Sequence, residues 1–94
     1  MLRQTVRFRR SDRVDETRVG DQVVLYHRDN GTGVVLNPTG SIIWDSLVAP
    51  QSADELARGL TARFPATPAE RIAADVGGYL AALVEQRLVT GEST

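Results

Sequence analysis

The stretch that decides the fold is Val34-Val35-Leu36-Asn37-Pro38-Thr39-Gly40-Ser41-Ile42-Ile43-Trp44. Its first three residues are apolar β-formers and predict a short strand. The Asn-Pro-Thr-Gly segment is prone to turn, and the apolar run after it has the composition of a buried helix and holds the single tryptophan. A strand that passes directly into a helix forms a corner where a sheet edge and a helical layer share one core. We expect the protein to meet its partner at this corner.

Composition indicates one soluble domain spanning residues 1–94, with 41% hydrophobic and 24% charged residues and a net charge of −1. The absence of cysteine excludes disulfides, thiolate zinc sites, iron–sulfur ligation and a thiol nucleophile. The single histidine, His27, cannot form a multi-histidine metal site and is interpreted as a surface residue. We therefore expect neither a metal site nor a cofactor.

The sequence contains no segment typical of membrane insertion or secretion. A bilayer-spanning helix needs about 20 consecutive apolar residues, and the apolar runs here are far shorter. The arginine-rich N-terminus lacks the apolar centre of a signal peptide. The expected location is the cytoplasm.

Three strands are predicted in the first half of the chain, over Val14–Val19, Gln22–His27 and Gly33–Leu36. The first two flank a two-residue Gly-Asp loop, and an Asn-Gly turn precedes the third. Residues 1–12 are expected to be a flexible arm or a short edge strand, and residues 90–94 a tail. If the middle strand is 22–27, the third strand has an open edge.

Three helices are predicted after the corner. The first is expected to be capped by Thr39 or Ser41 and to end at Pro50. The second begins at a capping box whose serine is Ser52 and ends near Phe64, and the third begins after a similar Thr67 box and ends near Arg87. The pattern predicts an α+β domain of winged helix-turn-helix type, in which a three-stranded antiparallel sheet is followed by three helices.

The third helix predicts a core stripe of residues that share one side of the helical wheel: Ile72, Val76, Tyr79, Leu80 and Leu83. Trp44 is expected to lie in the core. Gly77 and Gly78 lie in the middle of this helix, where each glycine lowers helix stability by about 0.8–1 kcal/mol relative to alanine. We expect a neighbouring helix backbone to pack against them.

Catalysis is not expected, because the serines, carboxylates and single histidine have no motif spacing. A DNA-binding winged helix would carry basic residues on its third helix, whereas this helix offers Glu70, Asp75 and Glu85 against Arg71 alone. Binding of an extended peptide to the open edge by β-strand addition is favoured. Pairing of that edge in a homodimer is the alternative.

Two blocks of sequence resemble the PqqD-like proteins, the RiPP recognition elements that bind leader peptides of ribosomally synthesised, post-translationally modified peptides. The first block is Val35 to Leu47, which contains Leu-Asn-Pro-Thr-Gly and Ile-Trp. The second has Asp75-Val76, Tyr79-Leu80 and Leu83, followed by Leu88-Val89. The resemblance covers about residues 15–90.

The resemblance implies a non-catalytic adaptor that captures a precursor peptide and binds neither nucleic acid nor a membrane. The sequence of the first block is most similar to that of the stand-alone proteins of lasso-peptide biosynthesis. This similarity implies a leader peptidase and a macrocyclase as further partners. Members that serve pyrroloquinoline quinone synthesis present the precursor to a radical enzyme. They usually have a Tyr-Pro-Glu-like segment where this chain has Tyr26-His27-Arg28.

In this family the leader pairs with the third strand and rests against the third helix. The resemblance therefore implies two sets of leader-binding residues. The strand set is Gly33, Val34, Val35 and Leu36. The helix set is Arg71, Asp75, Gly78, Tyr79, Ala82 and Gln86, with Ala73, Gly77 and Val84 turned toward the other helices.

Overall fold

The computed structural model describes residues 5–93. Within that range the chain forms nine elements, in the order β1 (Val6–Arg10), β2 (Val14–Val19), β3 (Gln22–His27), β4 (Gly33–Leu36), α1 (Pro38–Ser46), β5 (Gln51–Ser52), α2 (Ala53–Arg63), α3 (Ala69–Glu85) and β6 (Val89–Ser93). The strands form two antiparallel three-stranded sheets, ordered β2-β3-β4 and β5-β1-β6. The α+β class and the winged-helix arrangement are confirmed.

The β2-β3-β4 sheet matches the sequence-based prediction strand for strand. Its two turns place Gly20 and Gly31 at φ values of +60° and +71°, a conformation that glycine adopts without the steric penalty of a side chain. The predicted open edge is also confirmed for the described part of the chain, residues 5–93, where β4 pairs with β3 alone.

The two faces of this sheet differ in burial, as the period of two along a strand requires. Val23, Leu25 and Leu36 point inward and are buried. Tyr26 and Val35 point outward and are exposed.

The second sheet was not predicted as such. β1 is its central strand, paired with β5 on one side and β6 on the other. The expected flexible arm or edge strand is therefore a central strand over Val6–Arg10, and the expected tail is paired up to Ser93, because each segment supplies the other's hydrogen-bond partners. The remainder of the predicted arm and tail, residues 1–4 and 94, lies outside the described residues.

Helix capping follows the prediction at α2 only. Ser52 Oγ accepts a hydrogen bond from the Glu55 N–H, and Glu55 Oε1 accepts from the Ser52 N–H. At α1 the cap is Asn37 rather than Thr39 or Ser41, because Pro38 already occupies the first helical position. The predicted capping box at Thr67 is also wrong, since α3 begins after Pro68 and no side chain caps it.

The core is formed between the inner face of the β2-β3-β4 sheet and the three helices. The predicted stripe on α3 supplies Ile72, Val76, Leu80 and Leu83, all buried, while Tyr79 is half-buried. Leu88 and Val89 are also buried.

Trp44 lies in this core, as predicted, with 2% of its surface exposed. Its Nε1–H donates to Glu16 Oε1 on β2, and the Arg10 guanidinium lies over its ring at 4.5 Å from the centroid. The indole hydrogen bond, together with the Arg18 ion pair, lowers the pKa of Glu16. This cluster joins both sheets to α1.

His27 is buried, so its interpretation as a surface residue is wrong. Its Nδ1 accepts a hydrogen bond from the Asp29 N–H at 3.1 Å, at the start of the β3–β4 turn. In residues 5–93 no helix combines the length and the apolar character needed to cross a membrane.

Candidate functional site

The open edge of β4 presents backbone groups from alternate residues. The His27 N–H donates to the Thr32 carbonyl at 2.9 Å, so this pair is hydrogen-bonded. Hydrogen-bonded and non-bonded pairs alternate along an antiparallel ladder, and the register opposes Leu25 to Val34 and Val24 to Val35. The N–H and C=O groups of Val34 therefore point toward β3, whereas those of Val35 point away from the sheet.

The same alternation directs the backbone of Gly33 outward. Gly33 and Val35 together offer an incoming strand two N–H donors and two C=O acceptors. The Val35 side chain is 59% exposed, and a Cβ at Gly33 would meet no atom closer than 4.0 Å. The edge is accessible to an extended chain.

A groove of about 520 Å³ lies where β4 ends and α1 begins. Its lining comes from the corner and from one flank of α3: Asn37, Thr39, Ala74, Asp75, Gly78, Tyr79 and Ala82. Small side chains form most of the helical wall, and Asp75 supplies its one charged group. The groove therefore begins at Asn37, the residue directly after β4, and runs along one flank of α3.

The corner is held by two contacts. Asn37 Oδ1 accepts from the Gly40 N–H at 2.8 Å and so fixes the first turn of α1. Gly40 lies directly against the ring of Tyr79. These contacts set the distance between α1 and α3, and with it the width of the groove.

The structure brings together most of the residues singled out from the sequence. Asp75, Gly78, Tyr79 and Ala82 line the groove, and Gly33 to Leu36 form the adjacent edge. Two others are not among the lining residues: Arg71 is exposed on α3, and Gln86 is the C-cap of α3.

Sequence reasoning missed three lining residues, Asn37, Thr39 and Ala74. Ala74 precedes Gly78 by four residues, so helical periodicity alone would have placed it on the same flank. Asn37 and Thr39 become part of the groove only through the position of α1 relative to α3, which no local pattern reveals.

The expectation that a helix backbone packs against Gly77 and Gly78 is wrong. A Cβ added at either residue would meet no atom within 4 Å. Ala73, Gly77 and Val84 do not face the other helices either, since all three are exposed. Gly78 opens into the groove, whereas Gly77 lies on the solvent side of the same helix.

A smaller cavity of about 140 Å³ adjoins the groove. It lies between the end of α2 and the start of α3, and its lining is Thr39, Leu60, Phe64, Thr67, Ile72 and Asp75. Thr39 and Asp75 line both spaces.

The side chains of this surface form no recognisable metal site. Over residues 5–93, no three His, Asp or Glu side chains gather in an arrangement that could hold a metal ion. The surface instead combines an unpaired strand edge with a concave wall of small side chains, which is the geometry required for β-strand addition.

Comparison with known proteins agrees with this geometry. The solved structure described as TbiB1 in complex with the TbiA(beta) leader peptide is similar to this chain, with a TM-score of 0.81 and 28% sequence identity over 92% of this chain and 99% of that one. No curated protein sequence matches the chain significantly. The family model described as Coenzyme PQQ synthesis protein D (PqqD) matches residues 22–89. The chain therefore belongs to the PqqD family and is a RiPP recognition element.

Proposed function

We propose that this protein is a non-catalytic adaptor that captures the leader segment of a precursor peptide by β-strand addition to β4. The observation that carries the proposal is the open edge at Gly33 and Val35, followed directly after β4, at Asn37, by the groove along α3. The similar structure of TbiB1 in complex with a leader peptide supports a leader peptide as the ligand. The leader backbone pairs with β4, and alternate side chains enter the groove.

The proposed binding residues are the strand set Gly33, Val34, Val35 and Leu36 and the helix set Arg71, Asp75, Gly78, Tyr79, Ala82 and Gln86. Within the strand set, Gly33 and Val35 supply backbone hydrogen bonds, while Val34 and Leu36 support them from the core side. Within the helix set, the four groove-lining residues contact the leader side chains.

The magnitudes are consistent with useful affinity. Burial of roughly 300–400 Å² of apolar leader surface contributes about 8–10 kcal/mol before the ordering of the peptide is subtracted. Ordering a disordered segment removes several kcal/mol of this. Pairing with β4 makes up the difference to about −8 kcal/mol, which corresponds to micromolar binding.

We further propose lasso-peptide maturation as the pathway, with a leader peptidase and a macrocyclase as the enzymes that receive the captured precursor. This proposal is supported by the Leu-Asn-Pro-Thr-Gly and Ile-Trp motifs between β4 and α1, which resemble those of lasso-peptide leader-binding proteins. The protein acts in the cytoplasm, where precursor peptides are made.

Pyrroloquinoline quinone synthesis is the second candidate, because the matching family model is that of PqqD. In that pathway the adaptor would present the precursor to a radical enzyme. The Tyr26-His27-Arg28 segment differs from the Tyr-Pro-Glu-like sequence usual in the proteins of that pathway. This difference favours the lasso assignment.

The test is a titration of the full chain with a labelled leader peptide from a precursor gene adjacent to its own. A matched titration uses random duplex DNA at two salt concentrations. We expect saturable peptide binding and no DNA binding that weakens steeply with salt. Salt-dependent DNA binding without peptide binding would instead identify a nucleic-acid-binding winged helix.

A further inference from the structure

The β2-β3-β4 sheet has a second open edge, which belongs to β2. Over residues 5–93, β2 pairs with β3 alone. The Arg28 N–H donates to the Arg13 carbonyl at 3.0 Å, so this pair is hydrogen-bonded, and every second residue of β2 then turns its backbone toward β3. The N–H and C=O groups of Glu16 and Arg18 therefore point away from the sheet, whereas those of Thr17 point toward β3.

The side chains of this edge carry opposite charges on one face. Glu16 and Arg18 lie on the inner face, because Leu25, which opposes Glu16, is buried. Their side chains nevertheless remain 30% and 50% exposed. Within the described residues the Arg18 guanidinium donates to Glu16 from Nε and to Asp45 from Nη2, which leaves three of its five N–H groups for another acceptor. Thr17 lies between the two charges and is exposed on the outer face.

We propose that the β2 edge is an interface between two copies of this chain, paired antiparallel about a two-fold axis at Thr17. In such an interface one surface faces itself, so its complementarity can be read from β2 alone. The axis at Thr17 opposes Glu16 of each copy to Arg18 of the other. These residues exchange four backbone hydrogen bonds, and their side chains form two ion pairs across the axis.

The other two-fold registers lack this complementarity. Only residues with outward backbone groups can form the hydrogen-bonded pairs, so the axis must lie on a residue of β2. An axis at Glu16 opposes two carboxylates, and one at Arg18 opposes two guanidinium groups, which destabilises the pairing. Axes at the remaining residues of β2 oppose Glu16 to an acidic or an uncharged residue. The charges therefore select Thr17.

The dimer is one six-stranded sheet in the order β4-β3-β2-β2-β3-β4. Both β4 edges lie at its outer ends, so pairing through β2 does not occupy the edge that we assign to the leader. One pair of short strands buries less surface than the roughly 1,200 Å² at which stable interfaces begin. We expect a weak dimer with a dissociation constant on the order of 100 µM.

The experiment is sedimentation of the full chain from about 10 µM to about 1 mM, a range that brackets this dissociation constant. Thr17→Glu and Thr17→Lys each place two like charges at the axis, where the Cα atoms of a non-hydrogen-bonded pair are about 4.5 Å apart. We expect each variant alone to weaken the dimer at least tenfold. An equimolar mixture of the two should form a heterodimer at least as tight as the wild-type dimer. Thr90→Glu and Thr90→Lys, at an exposed position of β6, are the matched controls and should dimerise as the wild type does.

The absence of cysteine from the chain allows a second measurement. A Cα spacing of about 4.5 Å lies within the range of about 4.4–6.8 Å that a disulfide spans. We expect Thr17→Cys to form a disulfide-linked dimer under mild oxidation with glutathione and Thr90→Cys to remain largely unlinked. Thermal unfolding of each variant verifies the fold.

Two outcomes would overturn the proposal. The first is a wild-type chain that stays monomeric over the whole concentration range. The second is a dimer that persists in both charged Thr17 variants and dissociates in Val35→Pro, because its interface would then lie at the β4 edge. Dimerisation is measured without any leader peptide, so its failure leaves the proposed adaptor function untouched.

Discussion

Gly40 and Tyr79 are in such close contact that a Cβ built on Gly40 would lie 2.8 Å from Cε1 of the Tyr79 ring. The first turn of α1 can therefore rest on α3 only if residue 40 has no side chain. The same Cβ would lie 3.3 Å from Asn37 Oδ1, the oxygen that caps α1. One glycine thus controls both the cap of α1 and the width of the groove.

Gly40→Ala should destabilise the protein by about 1–3 kcal/mol, because the Tyr79 ring or the helix must move to accommodate the methyl group. Gly59→Ala is the matched control, since a Cβ at this helical position meets no atom within 4 Å. It should stabilise the protein by about 0.5–1 kcal/mol. Urea unfolding with an unchanged m-value measures both. Equal stability of Gly40→Ala and the wild type would contradict the close contact.

The β2-β3-β4 sheet and the three helices were predictable because their signals are local. Turn glycines, β-branched runs and the α3 stripe each lie within a few residues of one another. The β5-β1-β6 sheet was not, because its pairing joins Val6 to Ser93 and Arg7 to Ser52. β5 has two residues, and no periodicity exists at that length.

The candidate site likewise contains features that the local sequence predicts and features that it does not. The open edge and the flank of α3 follow from strand order and helical phase. The capping Asn37, the contact between Gly40 and Tyr79 and the pocket beside Phe64 depend on where α1, α2 and α3 lie relative to one another. That placement is set by packing of the whole core, so the local sequence carries no signal for it.

The Gly77-Gly78 pair allows a matched test of the groove. Both residues are exposed helical positions with open space around a new Cβ, so Gly77→Ala and Gly78→Ala should each stabilise the fold by about 0.5–1 kcal/mol. Only Gly78 lines the groove. We expect Gly78→Ala alone to weaken leader binding, roughly fivefold or more. Equal affinities of the two variants would argue against close approach of the leader to α3.

Trp44 should report unfolding but not binding. Its ring is buried against Arg10 and its Nε1–H is bonded to Glu16, and it does not line the groove. We expect the emission maximum to stay constant under saturating leader and to shift to longer wavelength in urea. A clear shift on leader addition would place the binding site beside Trp44, outside the groove.

Glu16 should make the stability of the protein sensitive to acid. Because the Trp44 hydrogen bond lowers the pKa of Glu16, its stabilising effect is fully present above its ordinary pKa of 4.5 and is lost as the pH falls through the lower folded-state value. Glu16→Gln keeps an acceptor for the indole but does not titrate. We expect it to lower the unfolding free energy by about 1 kcal/mol at pH 7 and to reduce its decline below about pH 4.5.

The pH profile needs a comparison, because other carboxylates titrate in the same range. Bonding to Arg13 lowers the pKa of Asp29, and bonding to the Ser52 N–H lowers that of Glu55. Both groups remain in Glu16→Gln, so only the difference between the two profiles reports Glu16. Parallel profiles would show that the Trp44 bond is not coupled to folding.

Val35→Pro tests whether the leader pairs with β4. The Val35 N–H points away from β3, so proline removes a donor that the fold does not use, and an edge strand tolerates this change. Val35→Ala keeps the N–H and removes only the exposed methyl groups, whereas Val34→Pro removes an N–H that β3 needs. We expect Val35→Pro to remain folded and to lose at least tenfold in leader affinity, Val35→Ala to bind nearly as the wild type, and Val34→Pro to be destabilised. Circular dichroism measures the fold and titration calorimetry the affinity. A folded Val35→Pro variant with wild-type affinity would exclude strand addition at this edge, because the leader would then not need the Val35 N–H, one of the two donors that the edge offers.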